Sequence, residues 1–400
     1  MPDVPDDIYY DPWNFEIDTD PYPLWRRMRE EAPLYYNEKH DFWAVSRFDD
    51  VEQVMVDFET YISGKGSVLD AIKLGIPIMP GNILMEDPPA HDMHRALLSR
   101  VFTPKRMEGI SDEVRAFCTE RLDPLVGTGT FDFVKDLGAY MPMRTIGMLL
   151  GIPEEHQEAI RDEMDRAMTL ADDGGLPDID FTLSVLSGQI FDDYVTWRED
   201  HPSDDLMTVL LDIEFEDETG TVRRLRRDEI LGYVGLVASA GNETTTRLIG
   251  WTGKVLAEHP DQRAEIVADP SLIKPAIEEI LRFEAPSPVQ ARYMTKDVQW
   301  YGETVPEGSV MVLLNGSGNR DDRKFPNGDT FDIHRRIDHH LTFGYGLHFC
   351  LGASLARLEG RIALEEVIKR FPTWDIDWDN AHQAHTSTVR GWHKMPVFTS

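Results

Sequence analysis

Cysteine is scarce in this chain: Cys118 and Cys350 are the only two among 400 residues. Two cysteines cannot build a disulfide framework. A chain of this length buries enough core to do without one. Basic charge is also short, 40 Lys and Arg against 72 Asp and Glu, a net of -32. Such a surface repels phosphate backbones and excludes nucleic acid as the expected partner. No apolar run approaches the ~20 residues that span a bilayer. The opening Met-Pro-Asp-Val-Pro-Asp-Asp lacks the basic and apolar regions of a signal peptide. The expectation is a cytoplasmic protein without a membrane anchor. No G-x-G-x-x-G loop and no Walker loop occurs, so no flavin or nicotinamide is expected, nor a fused reductase. No repeat or low-complexity linker divides residues 1–400, which are expected to form a single domain.

What is present is mostly helical periodicity. Helices are expected over 21–32, 92–102, 112–125, 143–150, 154–170, 181–199, 228–258, 262–268, 271–283 and 353–371. Thr103 and Pro104 supply an N-cap and an N1 proline for a further one. Short strands are expected at 42–46, 289–292, 298–301 and 310–314. Residues 316–342 are rich in Gly, Asn, Asp, Arg and Pro and read as a long irregular segment, which in a compact protein is usually functional. The fold class is mainly α with small β-sheets (α+β). Cys118, in a helical pattern, is expected in the core.

Cys350 stands in Phe343-Gly-Tyr-Gly-Leu-His-Phe-Cys-Leu-Gly352. Gly344, Gly346 and Gly352 tolerate dihedrals that other residues resist. A turn of that kind can aim several backbone N–H groups at a sulfur and stabilise its thiolate. A thiolate is the ligand with which a haem iron cleaves an O–O bond. The stretch resembles the haem-binding signature of the cytochrome P450 family, F-G-x-G-x-H-x-C-x-G, and every fixed position matches.

Four further motifs fit the same resemblance in order and spacing. Ala240-Gly-Asn-Glu-Thr244 resembles the family's oxygen-activation motif, A-G-x-[DE]-T, on a helix where Val237, Gly241, Thr244 and Leu248 share a face. Glu279-Ile-Leu-Arg282 matches E-x-x-R, and Arg335 resembles the third member of the family's Glu-Arg-Arg cluster, with a structural role. His91 and Arg95 match H-x-x-x-R and share a helix face. Arg292, in Arg-Tyr-Met-Thr-Lys-Asp297, matches R-x-x-x-x-[DE]. With His348, these three are implied to hold the haem propionates.

The resemblance implies a helical bundle enclosing haem b (iron protoporphyrin IX), with Cys350 as axial ligand of the iron. It implies a monooxygenase that uses O2, with Thr244 and Glu243 in proton delivery. Phe343, Gly344, Gly346, Gly352, Ala240 and Gly241 would border the cofactor. Electrons would come from a ferredoxin and its reductase, docking on a basic patch of Arg100, Lys105, Arg106, Arg357 and Arg361. Val237, Ala240 and Val289, with 74–79 and 181–186, suggest an apolar pocket for a lipid or terpenoid. Other readings stay open at this point. Cys350 with His348, His339 and His340 fits no usual zinc spacing. A cysteine nucleophile lacks a hydrolase signature. A peroxide-using peroxygenase tends to lack the Glu243–Thr244 pair. A haem-thiolate sensor would need no proton relay.

Overall fold

A computed structural model describes residues 7–168, 184–185, 187–386 and 389–399. Its main helices are α1 (Tyr22–Glu31), α2 (Phe48–Val56), α3 (Ala90–Ser99), α4 (Pro104–Glu108), α5 (Ser111–Leu122), α6 (Met141–Leu150), α7 (Glu154–Met168), α8 (Arg227–Glu258), α9 (Ile273–Phe283) and α10 (Ala353–Arg370). The signals that place them are local. Thr103 caps α4 by accepting the Arg106 N–H, and Pro104 occupies its first turn. Pro260 ends α8 by opening the next helix, Pro260–Ala268.

α8 runs 32 residues through the middle of the molecule. Nearly every side is buried, against α6, α9, α10 and the turn Phe133–Gly138. A helix apolar all round belongs at the centre. One stripe is the exception: Leu236, Ser239, Ala240 and Thr244 remain accessible at helical spacing. Accessible residues in mid-helix mark an interior space. Of the four residues the sequence places on that face, Gly241 and Thr244 are accessible, while Val237 and Leu248 are buried.

A five-stranded sheet forms the second layer, in the order β1-β2-β5-β4-β3. Its strands are β1 (Leu34–Asn37), β2 (Phe42–Val45), β3 (Tyr61–Ile62), β4 (Gln290–Met294) and β5 (Val310–Leu313). β5 pairs parallel to β2, with Met311 opposite Trp43, and antiparallel to β4, with Met311 opposite Arg292. Val289, expected in the substrate pocket, instead packs at this end with Tyr10, Trp25 and Val312. The C-terminal part adds short strands at Trp374–Ile376, His382–Ala384, Gly391–Lys394 (β6) and Pro396–Thr399, none expected from sequence.

The helix expected over 181–199 is not continuous. Residues 181–183 and 186 lie outside the described residues. Gly188 adopts φ 73°, which breaks the helix before the turn Gln189–Phe191 and the helix Asp192–Asp200.

Candidate active site around Cys350

The Cys350 loop is braced from below. Glu279 and Arg282 share one face of α9 and are both fully buried, with two guanidinium–carboxylate bonds of 2.7 Å. Arg335 Nε adds a third bond to Glu279, at 3.2 Å. The remaining donors of both arginines reach carbonyls of the irregular segment. Arg282 Nη1 donates to Asn319 and Gly328 at 2.7 and 2.8 Å. Arg335 donates to Pro326, Asn327 and Thr330. Asn319 then carries the support upward. Its Oδ1 accepts the Leu341 N–H at 2.7 Å, and its amide donates to the Thr342 hydroxyl. Thr342 in turn donates to the Leu281 carbonyl. The turn Leu341–Phe343 is thereby fixed to α9, and the Cys350 N–H closes on the Phe343 carbonyl at 2.7 Å.

Within the loop, Gly344 and Gly346 have φ of 69° and 70°, where an L side chain is strained. Gly352 does not: its φ is −82° and it sits at the N-cap of α10. Cys118 is buried, as expected, whereas Cys350 is exposed. Its thiol is accessible yet ringed by protein. Burial pushes its pKa up; the Gly352 N–H and the cations Arg95 and Arg357 pull the other way. One backbone donor bears on the sulfur here, where the glycine-rich turn suggested several.

Four cationic or imidazole side chains converge beside this thiol. The His91 and His348 rings lie 4.5 Å apart. Arg95 Nη2 donates to the Phe349 carbonyl at 2.5 Å. The pKa of His348 is driven down to about 3, first by burial and then by Arg292, His91 and Arg95. Arg292 is 3% exposed. It donates to the carbonyl of its own neighbour Ala291, and burial lowers its pKa to about 10. The Nε2 atoms of His91 and His348 are buried without a partner. Buried polar atoms left unpaired are costly. This set fits a ligand carrying carboxylates, flat enough to lie beside a thiol.

α8 supplies the other wall. Gly360 of α10 packs on Leu248, which fixes the two helices against each other one turn beyond Thr244. The Thr244 hydroxyl donates back to the Ala240 carbonyl at 2.8 Å. Glu243 does not share its face. It is 7% exposed and accepts from Arg247 Nη2 at 2.9 Å, on the side of a separate cleft.

Residues 185–377 match the family profile described as cytochrome P450. A putative cytochrome P450 123 from Mycobacterium tuberculosis is 37% identical over 98% of this chain and 97% of its own length.

The chain belongs to the cytochrome P450 family.

A second P450 relative, the vitamin D(3) 25-hydroxylase of Pseudonocardia autotrophica, is 32% identical over 94% of this chain and 93% of its own. Among solved structures, CYP109E1 from Bacillus megaterium in complex with testosterone covers 96% of this chain and 99% of its own, with a TM-score of 0.86 and 27% identity. The fold is therefore that of a cytochrome P450, mainly α with small sheets. The protein is a P450 monooxygenase that uses a haem iron, O2 and redox partners. No helix among the described residues is long and apolar enough to cross a membrane.

Two residues of the expected basic patch are engaged elsewhere. Arg357 forms a two-point bridge to Glu278 at 2.6 and 3.0 Å and lies over the Phe343 ring. Arg361 pairs with Glu108 and Glu365. Both are clamps between helices rather than free docking charges. Arg100, Lys105 and Arg106 are exposed and form no ion pair among the described residues. Val237 is core-packed. Sequence reading missed Asn319 and Thr342, which link the Glu279 cluster to the loop, and Arg247, whose i+4 spacing from Glu243 was a readable signal. It also missed Glu359, a fully buried carboxyl on α10 that no periodicity distinguishes from a surface one.

Proposed function

We propose that this P450 inserts one oxygen atom of O2 into a C–H bond of a hydrophobic small molecule of lipid or terpenoid type, taking electrons from a ferredoxin and its reductase. Residues 1–400 act as one unit in this reading. The observation that carries it is the set around Cys350: an accessible thiol in a braced loop, beside the buried guanidinium of Arg292, Arg95, and the His91 and His348 Nε2 atoms buried without a partner. A porphyrin bearing carboxylates suits such a cationic set. His91, Arg95, Arg292 and His348 would hold the carboxylates and Cys350 would ligate the iron. Phe343, Gly344, Gly346 and Gly352 would shape the loop on one side, with Ala240 and Gly241 leaving room on the other. The cofactor is haem b in this reading, because Cys118 and Cys350 stand too far apart in sequence for a C-x-x-C-H attachment. When bound, the iron porphyrin supplies the oxygen-activating chemistry, which thiolate ligation favours.

The chain supplies binding, orientation and proton handling. Leu236 and Ala240 offer apolar surface along the accessible stripe of α8. An apolar substrate of the kind named for the relatives, vitamin D(3) or testosterone, suits that surface. Thr244 spends its hydroxyl hydrogen on the Ala240 carbonyl, so its oxygen stays free to accept a hydrogen bond from a group beside the helix. Glu243, which lines the cleft beside the neighbouring face of α8, and Thr244, at Oγ1, are assigned to proton delivery in this reading. Glu279, Arg282 and Arg335 keep the loop in register and touch no reacting atom.

Replacing Thr244 by Ala tests the assignment. Product formed per O2 consumed is expected to fall about tenfold or more, with peroxide released instead. The substrate for this assay is the best binder from a panel of fatty acids, terpenoids and sterols, ranked by displacement of the iron's water ligand. Undiminished coupling in the variant removes Thr244 from the mechanism.

A further inference from the structure

Along the side of α8 that carries Glu243, Thr246 and Arg247 the fold leaves a cleft of about 620 Å³, bounded by α6, α7, α8 and β6. Its walls are charged, and most of its carboxylates already have partners. Glu243 pairs with Arg247, Glu154 with Arg144, and Glu158 and Asp162 with Arg161. Glu155 is the acid left over. Against it stand Lys135 and Lys394, both exposed and without an ion pair among the described residues. Arg121 lies 4.4 Å from the Tyr140 ring centroid and reaches only the Asp136 carbonyl, at 3.5 Å. The cleft therefore carries excess positive charge in a chain whose net is -32.

Arg247 is the second observation. It is 5% exposed. Its Nη1 donates to the Trp392 carbonyl at 2.6 Å and its Nη2 to Glu243 at 2.9 Å. Its Nε is buried with no acceptor, although the side chain lines the cleft. A buried N–H left open beside a positive surface asks for an oxygen acceptor. Nearby, the pKa of His393 is lowered by burial first, and then by the positive charge of Arg247 and Lys394.

We infer that this cleft is a second binding site, for a small soluble oxyanion, with Arg247, Lys135 and Lys394 as its donors. The shared chemistry is a phosphate or carboxylate group with two or more oxygens, which a guanidinium edge and flanking ammonium groups recognise. The site adjoins Glu243. A bound anion competes with that carboxylate for Arg247 and so weakens the hold on it. This coupling rests on the proton role proposed for Glu243; binding itself does not.

The experiment uses the full-length haem-loaded protein and reads melting temperature and calorimetric heat, not turnover. Inorganic phosphate and succinate are titrated separately, at ionic strength held constant with chloride. The two arms distinguish a phosphate site from a carboxylate site. At least one is expected to give a saturable, single-site rise in stability. In the Lys135→Gln/Lys394→Gln variant its dissociation constant is expected to rise by about tenfold or more. In Glu243→Gln, where the charged competitor is gone, the same anion binds more tightly. A response no larger than that of chloride, or unaltered affinity in the double lysine variant, overturns the site. Equal or weaker binding in Glu243→Gln overturns the competition with Glu243. Because no arm depends on turnover, failure of the monooxygenase assignment leaves these outcomes readable.

Discussion

Two buried ionisable residues show how burial and partnership set different outcomes. Arg292 is buried in the sheet, donates to the carbonyl of Ala291 and is only partly compensated by the charge of Asp87. Glu359 has no cation near it. Burial raises its pKa to about 8, and the hydroxyls of Thr145 and Thr245 offset only part of that. The folded protein therefore keeps the Glu359 proton where the unfolded chain, near 4.5, has lost it. Between those values the folded state binds more protons, so stability falls as pH rises from about 4.5 through about 8. Glu359→Gln is expected to flatten that fall. Denaturant melts of both proteins at pH 6 and pH 9 check it: the variant gains on the parent at the higher pH, and parallel losses in the two proteins contradict the assignment. None of this was legible in the sequence, because a Glu in an amphipathic helix reads the same whether three helices cover it or water does. His91, Arg95, Arg292 and His348 were legible, since motif order brought them together on paper. Their unpaired Nε2 atoms and the single carbonyl at Arg292 were not, being properties of packing.

At the scale of elements, the joint between α9 and the irregular segment decides whether the Cys350 loop is held. Glu279 is fully buried and receives three guanidinium bonds and the Asp332 N–H. Removing one partner of such a pair strands the other charge, at about 3–5 kcal/mol. Glu279→Ala is thus expected to lose most of its folded population, measured by circular dichroism. Arg335→Ala, which leaves Glu279 its two bonds to Arg282 and frees only exposed carbonyls, costs about 1–2 kcal/mol and instead speeds proteolysis within residues 326–335. Normal proteolytic resistance in that variant would rule out a bracing role. Periodicity located the long helices well because apolar spacing is a local property. It put Val237 rather than Leu236 on the open face of α8, since the two are equally apolar and only the neighbours decide which is covered. The C-terminal strands of three or four residues left no pattern long enough to read.

At the scale of the whole molecule, charge is the organising quantity. Arg357 and Arg361, half-buried between helices, are neutralised by neighbouring carboxylates. Arg100, Lys105 and Arg106 stay unpaired beside a groove of about 380 Å³ lined by Pro104, Met107 and Leu358 of α4 and α10. An acidic electron donor is steered to such a patch, with a rate that falls as salt rises. Lys105→Glu/Arg106→Glu is expected to slow ferredoxin-driven turnover about tenfold while sparing peroxide-driven turnover. Equal loss by both routes would place the defect in the site instead. The sequence announced these residues as basic but not which of them were spoken for.

The proposed monooxygenase activity rests on Cys350 ligating the haem iron through its sulfur. Reduce the purified protein and add carbon monoxide. The account predicts the strongly red-shifted Soret band of thiolate-ligated haem, abolished in Cys350→His. A band at the position of histidine-ligated globins in the parent protein contradicts it.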